Sequence, residues 1–194
     1  MVVAQQKLTF EEYLSYDDGT DTRYELVNGE LVAMSQPEGL HEDIAERLYL
    51  AFKAEIERLS LPWVSKQGKV GVRSPRAGRW DTSRLPDVTV LLAEQWATLR
   101  HREAVIELNE PAPLLVVEVV SESTKTVDYR AKRVEYNVLD IPEYVIVDPT
   151  EFKVTVFNLI DQLYEPSEFF GSEVIQLKTF PQIQMQATQA LSPL

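Results

Sequence analysis

Apolar and polar positions recur with two different periods along this chain, and the changes of period predict its elements. Thr9-Phe10-Glu11-Glu12 carries the residue types of a capping box and opens a short helix ending near Ser15. Tyr24–Val27 and Glu30–Ala33 flank Asn28-Gly29, two residues that accept the positive φ of a tight hairpin turn. Over residues 38–59, Ile44, Leu48, Phe52, Ile56 and Leu59 return every three or four positions, which predicts a long amphipathic helix stopped by Pro62. Strands are expected at 63–72, with a basic tip, and at 87–92 and 114–120. The charged stretch 94–113 between the last two reads as a helical or irregular connection. Residues 126–139 form a second amphipathic helix with Val127, Ala131, Val134 and Val138 on one face. Residues 144–147, 153–159 and, more weakly, 173–177 complete the strands. Residues 184–194 offer little to bury and are expected to be a loose tail.

This order of elements suggests an α/β or α+β architecture: one mixed central sheet flanked by helices, with an N-terminal hairpin. Residues 114–120 are apolar on both faces, as in a central strand. The succession of that strand, a helix and the 144–147 strand reads as a crossover unit.

A length of 194 residues suits one domain, able to bury roughly 70% of its unfolded surface. The absence of cysteine excludes disulfides, a thiol nucleophile and cysteine-ligated metals. Only His41 and His101 are present, so a multi-histidine metal site is not expected. No signal peptide or membrane-spanning run is evident, and a cytoplasmic location is expected. The net charge is −12, which repels a polyanion at long range. Its distribution is uneven. Residues 66–84 hold six cations (Lys66, Lys69, Arg73, Arg76, Arg79, Arg84) against Asp81 alone, so this stretch is +5 and the rest −17. It is either a solvated hairpin tip or a local anion-binding face.

Glu118 is the most informative residue. It interrupts Leu114-Leu115-Val116-Val117-Glu118-Val119-Val120, and an unpaired carboxylate in a core strand costs several kcal/mol. It must therefore protonate, pair, lie at an edge, or bind a cation. Asp87 begins the next most apolar run after Pro86, and a neighbouring-strand pair of carboxylates could hold a hard divalent cation. Asp128, Lys132 and Tyr136 repeat at four-residue spacing on the second helix. Seen alone, Asp128 and Lys132 make a surface ion pair, but the short loop after the Glu118 strand could carry the ammonium towards the acids.

Pro86-Asp87 followed some thirty residues later by Glu118-Val119-Val120 resembles the Pro-Asp…(Asp/Glu)-x-Lys signature of the PD-(D/E)XK nucleases. More specifically, the chain resembles the restriction endonuclease family known as Uma within that superfamily. The matching pieces are Tyr24 to Leu31, His41, Pro86-Asp87-Val88, Val117-Glu118-Val119 with Ser121, Ser123 and Thr124, then Asp128, Lys132, Tyr136, Ile141-Pro142-Glu143-Tyr144 and Val147-Asp148-Pro149. Together they span roughly residues 8 to 182. The resemblance implies a restriction-endonuclease-like fold and metal-assisted phosphodiester hydrolysis. Asp87 and Glu118 would hold Mg²⁺ or Mn²⁺, and DNA would be the substrate. Val120 stands where the superfamily has lysine, and the resemblance assigns that role to Lys132. Glu25, His41, Asp128 and Tyr136 would support the site from behind. For His41 a core position bonded to a carbonyl is an equal reading, and for Glu25 a solvent-facing strand position is another. Lys69, Arg73, Arg76, Arg79 and Arg84 are candidates to grip backbone phosphates.

Other mechanisms lack their residues. His41-Glu42 is not followed by a second histidine at zinc-site spacing, and no phosphate-cradling glycine loop or G-x-S-x-G elbow occurs. The alternative function is a catalytically silent module that binds nucleic acid or protein on the same fold, which suits the acidic charge. A carboxylate-pair hydrolase of glycosidic bonds is a third class, disfavoured by the lack of an aromatic-rich cleft signature. Cutting both strands of a duplex calls for two sites, so a homodimer is plausible.

Overall fold

The capping box at Thr9 forms as expected: Thr9 Oγ1 accepts the Glu12 amide at 3.2 Å and Glu12 Oε2 accepts the Thr9 amide at 2.7 Å. It opens α1 (Phe10–Leu14) in a computed structural model that describes residues 7–75 and 81–194. The chain continues through β1 (Tyr24–Val27), β2 (Glu30–Ala33), α2 (Gly39–Arg58), β3 (Trp63–Gln67), β4 (Gly71–Ser74), β5 (Thr82–Arg84) and β6 (Val88–Leu92). Next come α3 (Ala93–Leu99), β7 (Val105–Ile106) and β8 (Leu115–Val119). A π-helical segment, Val127–Lys132, runs into α4 (Arg133–Val138), followed by β9 (Glu143–Asp148), β10 (Lys153–Ile160), β11 (Leu163–Phe170) and α5 (Ala187–Ala190).

The fold is mixed α+β, flanked by helices, with two sheets rather than one. The larger has the order β11-β10-β9-β8-β6-β3 and the smaller β2-β1-β5-β4-β7. The β1–β2 hairpin turns on Asn28 and Gly29, at φ 50 and 79, and belongs to the smaller sheet. β8 and β9 are parallel, joined through the helix 127–138 as a crossover requires. The expected strand 63–72 is split: Gly68 takes φ 50, so β3 pairs with β6 in one sheet and β4 with β5 in the other.

The middle of the larger sheet is buried on both faces. Leu115, Val117 and Val119 pack with Ile44, Leu48 and Phe52 of α2, and with Phe180, whose ring stacks on Phe52 at 5.0 Å. Val116 and Val120 face the other way, against Tyr136, Tyr144 and Ile146. The pleat therefore places Glu118 on this second face, between two buried valines.

Four points differ from expectation. The helix 127–138 is seated the opposite way round: Val134 and Val138 are 59% and 60% exposed, whereas Asp128, Lys132, Glu135 and Tyr136 are buried. Its charged stripe finds oppositely charged partners in the interior, which a hydropathy pattern cannot register. β11 was not expected, because it is an almost wholly exposed edge strand containing Pro166 and so lacks alternation. Conversely, residues 173–177 form only a single bridge, Val174 to Gln186. Finally, residues 184–194 are not a loose tail. Gln186 caps α5, and Ala187 and Ala190 are fully buried in the core beside α2, where small side chains permit close approach. No helix among the described residues is long and apolar enough to cross a membrane.

Candidate active site

β6 and β8 run antiparallel with Val88 opposite Val117 and Thr89 opposite Val116. One step beyond this ladder Asp87 reaches the level of Glu118, so register alone brings two acids to one end of the sheet, on one face. Asp87 Oδ2 accepts the Val119 amide at 2.7 Å, which fastens the Asp87 carboxylate to β8. Its Oδ1 lies 3.0 Å from His41 Nε2, on the first turn of α2. The histidine thus faces the cleft and an acid, not a core carbonyl. Glu118 is 3% exposed. Its Oε1 accepts the Tyr136 hydroxyl at 2.7 Å, and its Oε2 lies 2.8 Å from Lys132 Nζ.

Lys132 is delivered by the π-helical turns after β8. Segments of this kind carry i→i+5 hydrogen bonds and recur at functional sites. Here Asp128 and Lys132 both point inward, with Lys132 Nζ 3.0 Å from Asp128 Oδ1 and 3.9 Å from Glu25 Oε1. The Asp128 backbone carbonyl accepts the Tyr144 hydroxyl at 3.1 Å. Asp128 Oδ2 is buried with no hydrogen-bond partner among the described residues. A buried carboxylate oxygen left without a donor is costly, and Asp128 is among the residues lining an open cleft of about 1980 Å³.

The electrostatics follow from crowding. Burial raises the Glu118 carboxyl well above the ordinary range; Lys132 opposes this, and the charges of Asp128, Asp87 and Glu25 add to it. Burial by itself would depress Lys132, but Glu118, Glu25, Asp128 and Asp87 outweigh it and hold the side chain as an ammonium. For His41, burial disfavours the charged form, and the hydrogen bond and charge of Asp87 more than reverse that, raising its pKa. Glu25 shows the opposite balance: burial raises it, while Lys132 and Arg84 pull it below its usual value.

Glu25 is buried, not solvent-facing. It accepts Arg84 Nη1 at 2.9 Å and the Leu85 amide at 3.0 Å. Arg84 also donates to Glu135 from Nε (2.7 Å) and Nη2 (3.1 Å). Arg84, expected among the phosphate-gripping residues, is therefore spent inside the protein, clamping the segment before Asp87 to α4. Arg73 is likewise engaged: it pairs with Asp81 and, at 2.7 Å, with Glu107, above the ring of Phe10. Both arginines sit where their strands are covered, so carboxylates and not solvent neutralise them. Lys69 is exposed and lines the cleft. Arg76 and Arg79 lie outside the described residues. Glu135, unforeseen from the sequence, lies three and seven residues after Lys132 and Asp128, on their stripe, which is the signal that could have found it.

The structure thus brings Asp87, Glu118, Lys132, Glu25, His41 and Asp128 together at one cleft, with Tyr136 buried behind Glu118. Eight carboxylates among the described residues line the cleft against five cations. Among the described residues, no set of three or more His, Asp or Glu side chains stands at metal-ligand spacing.

No curated protein matches the chain by sequence. Its structure is similar to the crystal structure of a putative nuclease belonging to DUF820 from Anabaena variabilis ATCC 29413, with a TM-score of 0.75 at 15% identity over 95% of this chain and 97% of that one. At this identity the likeness concerns the fold. Residues 10–189 match the family Uma2, described as "Putative restriction endonuclease", and the chain belongs to that family.

Proposed function

We propose that this protein is a metal-dependent endonuclease that hydrolyses phosphodiester bonds in DNA. The observation that carries this reading is the insertion of the Lys132 ammonium between the carboxylates of Glu118 and Asp128, 2.8 and 3.0 Å away, beside Asp87 on the adjoining strand. Val120, two residues after Glu118, is buried in the core, so β8 cannot itself supply an ammonium. The helix does so instead.

The donor set fits a divalent cation such as Mg²⁺ or Mn²⁺. It is all oxygen, it carries excess negative charge, and it includes the orphaned Asp128 Oδ2. Asp87 and Glu118 would hold the ion, and a pair of carboxylates suits Mg²⁺, which keeps several waters and takes substrate phosphate oxygens. When bound, the ion polarises the phosphate and lowers the pKa of a water. The protein's own groups do the rest. His41 and the Val119 amide fix the Asp87 carboxylate, and Tyr136 and Lys132 fix Glu118, so both oxygens arrive pre-oriented with a lone pair free. Lys132 supplies a fixed positive charge where negative charge grows on the phosphate oxygens, which favours the transition state over the ground state. Two copies related by a two-fold axis would cut both strands of a duplex.

The test is cleavage of plasmid and single-stranded DNA by the full chain with Mg²⁺ or Mn²⁺, alongside Asp87→Ala and Lys132→Met. Loss of cleavage in both variants is expected. A second readout is thermal stability: the cations should raise the melting temperature of the wild type by mass action and leave Asp87→Ala unmoved. Wild-type cleavage rates in Asp87→Ala would overturn the site. Absence of cleavage on every nucleic acid tried would favour a silent binding module.

A further inference from the structure

Arg73 and Arg84, two of the arginines expected to grip DNA, are consumed inside the fold, which raises the question of how so acidic a cleft holds a polyanion. Among the described residues five cations line it: Arg23, Lys66, Lys69, Arg84 and Lys132. Arg84 and Lys132 are buried and paired with carboxylates. Arg23, Lys66 and Lys69 are in no ion pair among the described residues. Lys66 lies instead over the Trp96 ring at 4.1 Å, and burial together with the nearby charges of Arg100 and Lys53 lowers its pKa. An unneutralised ammonium pressed by other cations is a place where an anion is stabilising.

Arg23 is the informative one. It directly precedes β1 and stands two residues before Glu25, so the pleat sends both towards the cleft. Its Nη2 donates to the Gly68 carbonyl at 2.6 Å, and the Gly68 amide donates in turn to the Asp87 carbonyl at 2.8 Å. Two hydrogen bonds therefore link the Arg23 guanidinium to the backbone of the residue read as a metal ligand. Lys69 is next to Gly68 on the same turn between β3 and β4. A guanidinium held by one of its five donors keeps the others for a planar, bidentate contact with phosphate. Ser121, Ser123 and Thr124, which also line the cleft, carry hydroxyls bonded among themselves.

We infer that Arg23 and Lys69, carried on the β1 entry and the β3–β4 turn, form a phosphate-binding wall that seats the backbone of the bound strand beside Asp87. This rests on the endonuclease reading for its substrate. Arg23 is outside the segment 66–84 in which the sequence concentrates its positive charge, and only the fold brings it there.

The test is fluorescence anisotropy of a short labelled DNA duplex with the full chain in Ca²⁺, across a series of KCl concentrations. Arg23→Gln and Lys69→Gln are compared with wild type and with Lys178→Gln, an exposed charge away from the cleft. Each cleft variant should flatten the log–log salt dependence by about 0.9 and weaken binding about eight-fold at ~0.1 M salt, the effect of releasing one counterion fewer. Lys178→Gln should change neither. Wild-type affinity and salt slope in both cleft variants, or wild-type binding without salt dependence, would overturn the inference. Cleavage is measured on the same proteins. Sensitive binding without cleavage leaves the wall standing and removes the endonuclease reading. Cleavage with insensitive binding does the reverse.

Discussion

Replacing Lys132 by Met keeps an unbranched side chain of similar length and removes one charge. Three carboxylates lose their shared partner: Glu118 at 2.8 Å, Asp128 at 3.0 Å and Glu25 at 3.9 Å. At an effective dielectric constant of about 20, the attraction to Glu118 alone is about 6 kcal/mol. Desolvation of the ammonium offsets much of this. The net expectation is the ~3–5 kcal/mol observed when one partner of a buried ion pair is removed, a large part of a typical ~5–15 kcal/mol stability. The loss should depend on pH. Folding raises Glu118, so its contribution to stability is fully present below the unfolded carboxyl pKa and is lost as pH rises through the folded value. Without the ammonium the Glu118 carboxyl titrates higher still, and Glu25 loses one of the charges that hold it below its usual value. The gap between wild type and Lys132→Met should therefore narrow as the pH falls from about 8 to about 5, because the stranded acids then take up protons. Urea unfolding at both pH values measures this, with the m value watched for constancy. The double variant Lys132→Met/Glu118→Gln should recover part of the loss, since it exchanges a stranded charge for a neutral group. A gap below ~1 kcal/mol that ignores pH, or a double variant no more stable than the single one, would show that the ammonium is not the counter-charge of this cluster.

Other consequences are simpler to measure. Val134→Ser and Val138→Ser should each leave stability within about 0.5 kcal/mol of wild type by urea unfolding, because both side chains are exposed. Tyr136→Phe, which strips the hydroxyl from Glu118 Oε1, should cost about 1–3 kcal/mol; the reverse ranking would mean that the helix is seated on its valine face. Gly29→Ala forces a side chain into φ 79 at the hairpin and should lower the melting temperature by several degrees, for a cost of about 1–2 kcal/mol. Ala187→Leu overfills a fully buried position and should cost about 1–3 kcal/mol, with faster proteolysis of the C-terminal segment; an unchanged melting temperature would refute its packing.

Much of the scaffold was legible because it is decided within a few residues. The Thr9 cap, the Asn28-Gly29 turn, the long helix over Gly39–Arg58 and the apolar β8 each follow from contacts between near neighbours. The same holds for Glu118. A single acid in an otherwise apolar strand announces an unusual environment wherever that strand ends up, and the spacing of Asp128, Lys132 and Tyr136 marks the stripe that meets it. The family resemblance joined these pieces in one order, and the fold bears out the mixed α+β architecture.

What sequence alone could not decide was the sign of burial for charged groups. The hydropathy of residues 126–139 favours seating the valines inward, yet the helix turns Val134 and Val138 to solvent, because Lys132 and Glu135 meet Glu118 and Arg84 from distant strands. Arg84 and Arg73 read as free cations until Asp81 and carboxylates some 34 to 59 positions away along the chain close on them. Arg23, which looks unremarkable in the sequence, comes within two hydrogen bonds of Asp87 once Gly68 bends the chain between sheets. The free energy of placing a charge indoors depends on what stands opposite it in space, and that is settled only when strands far apart in the chain are brought together.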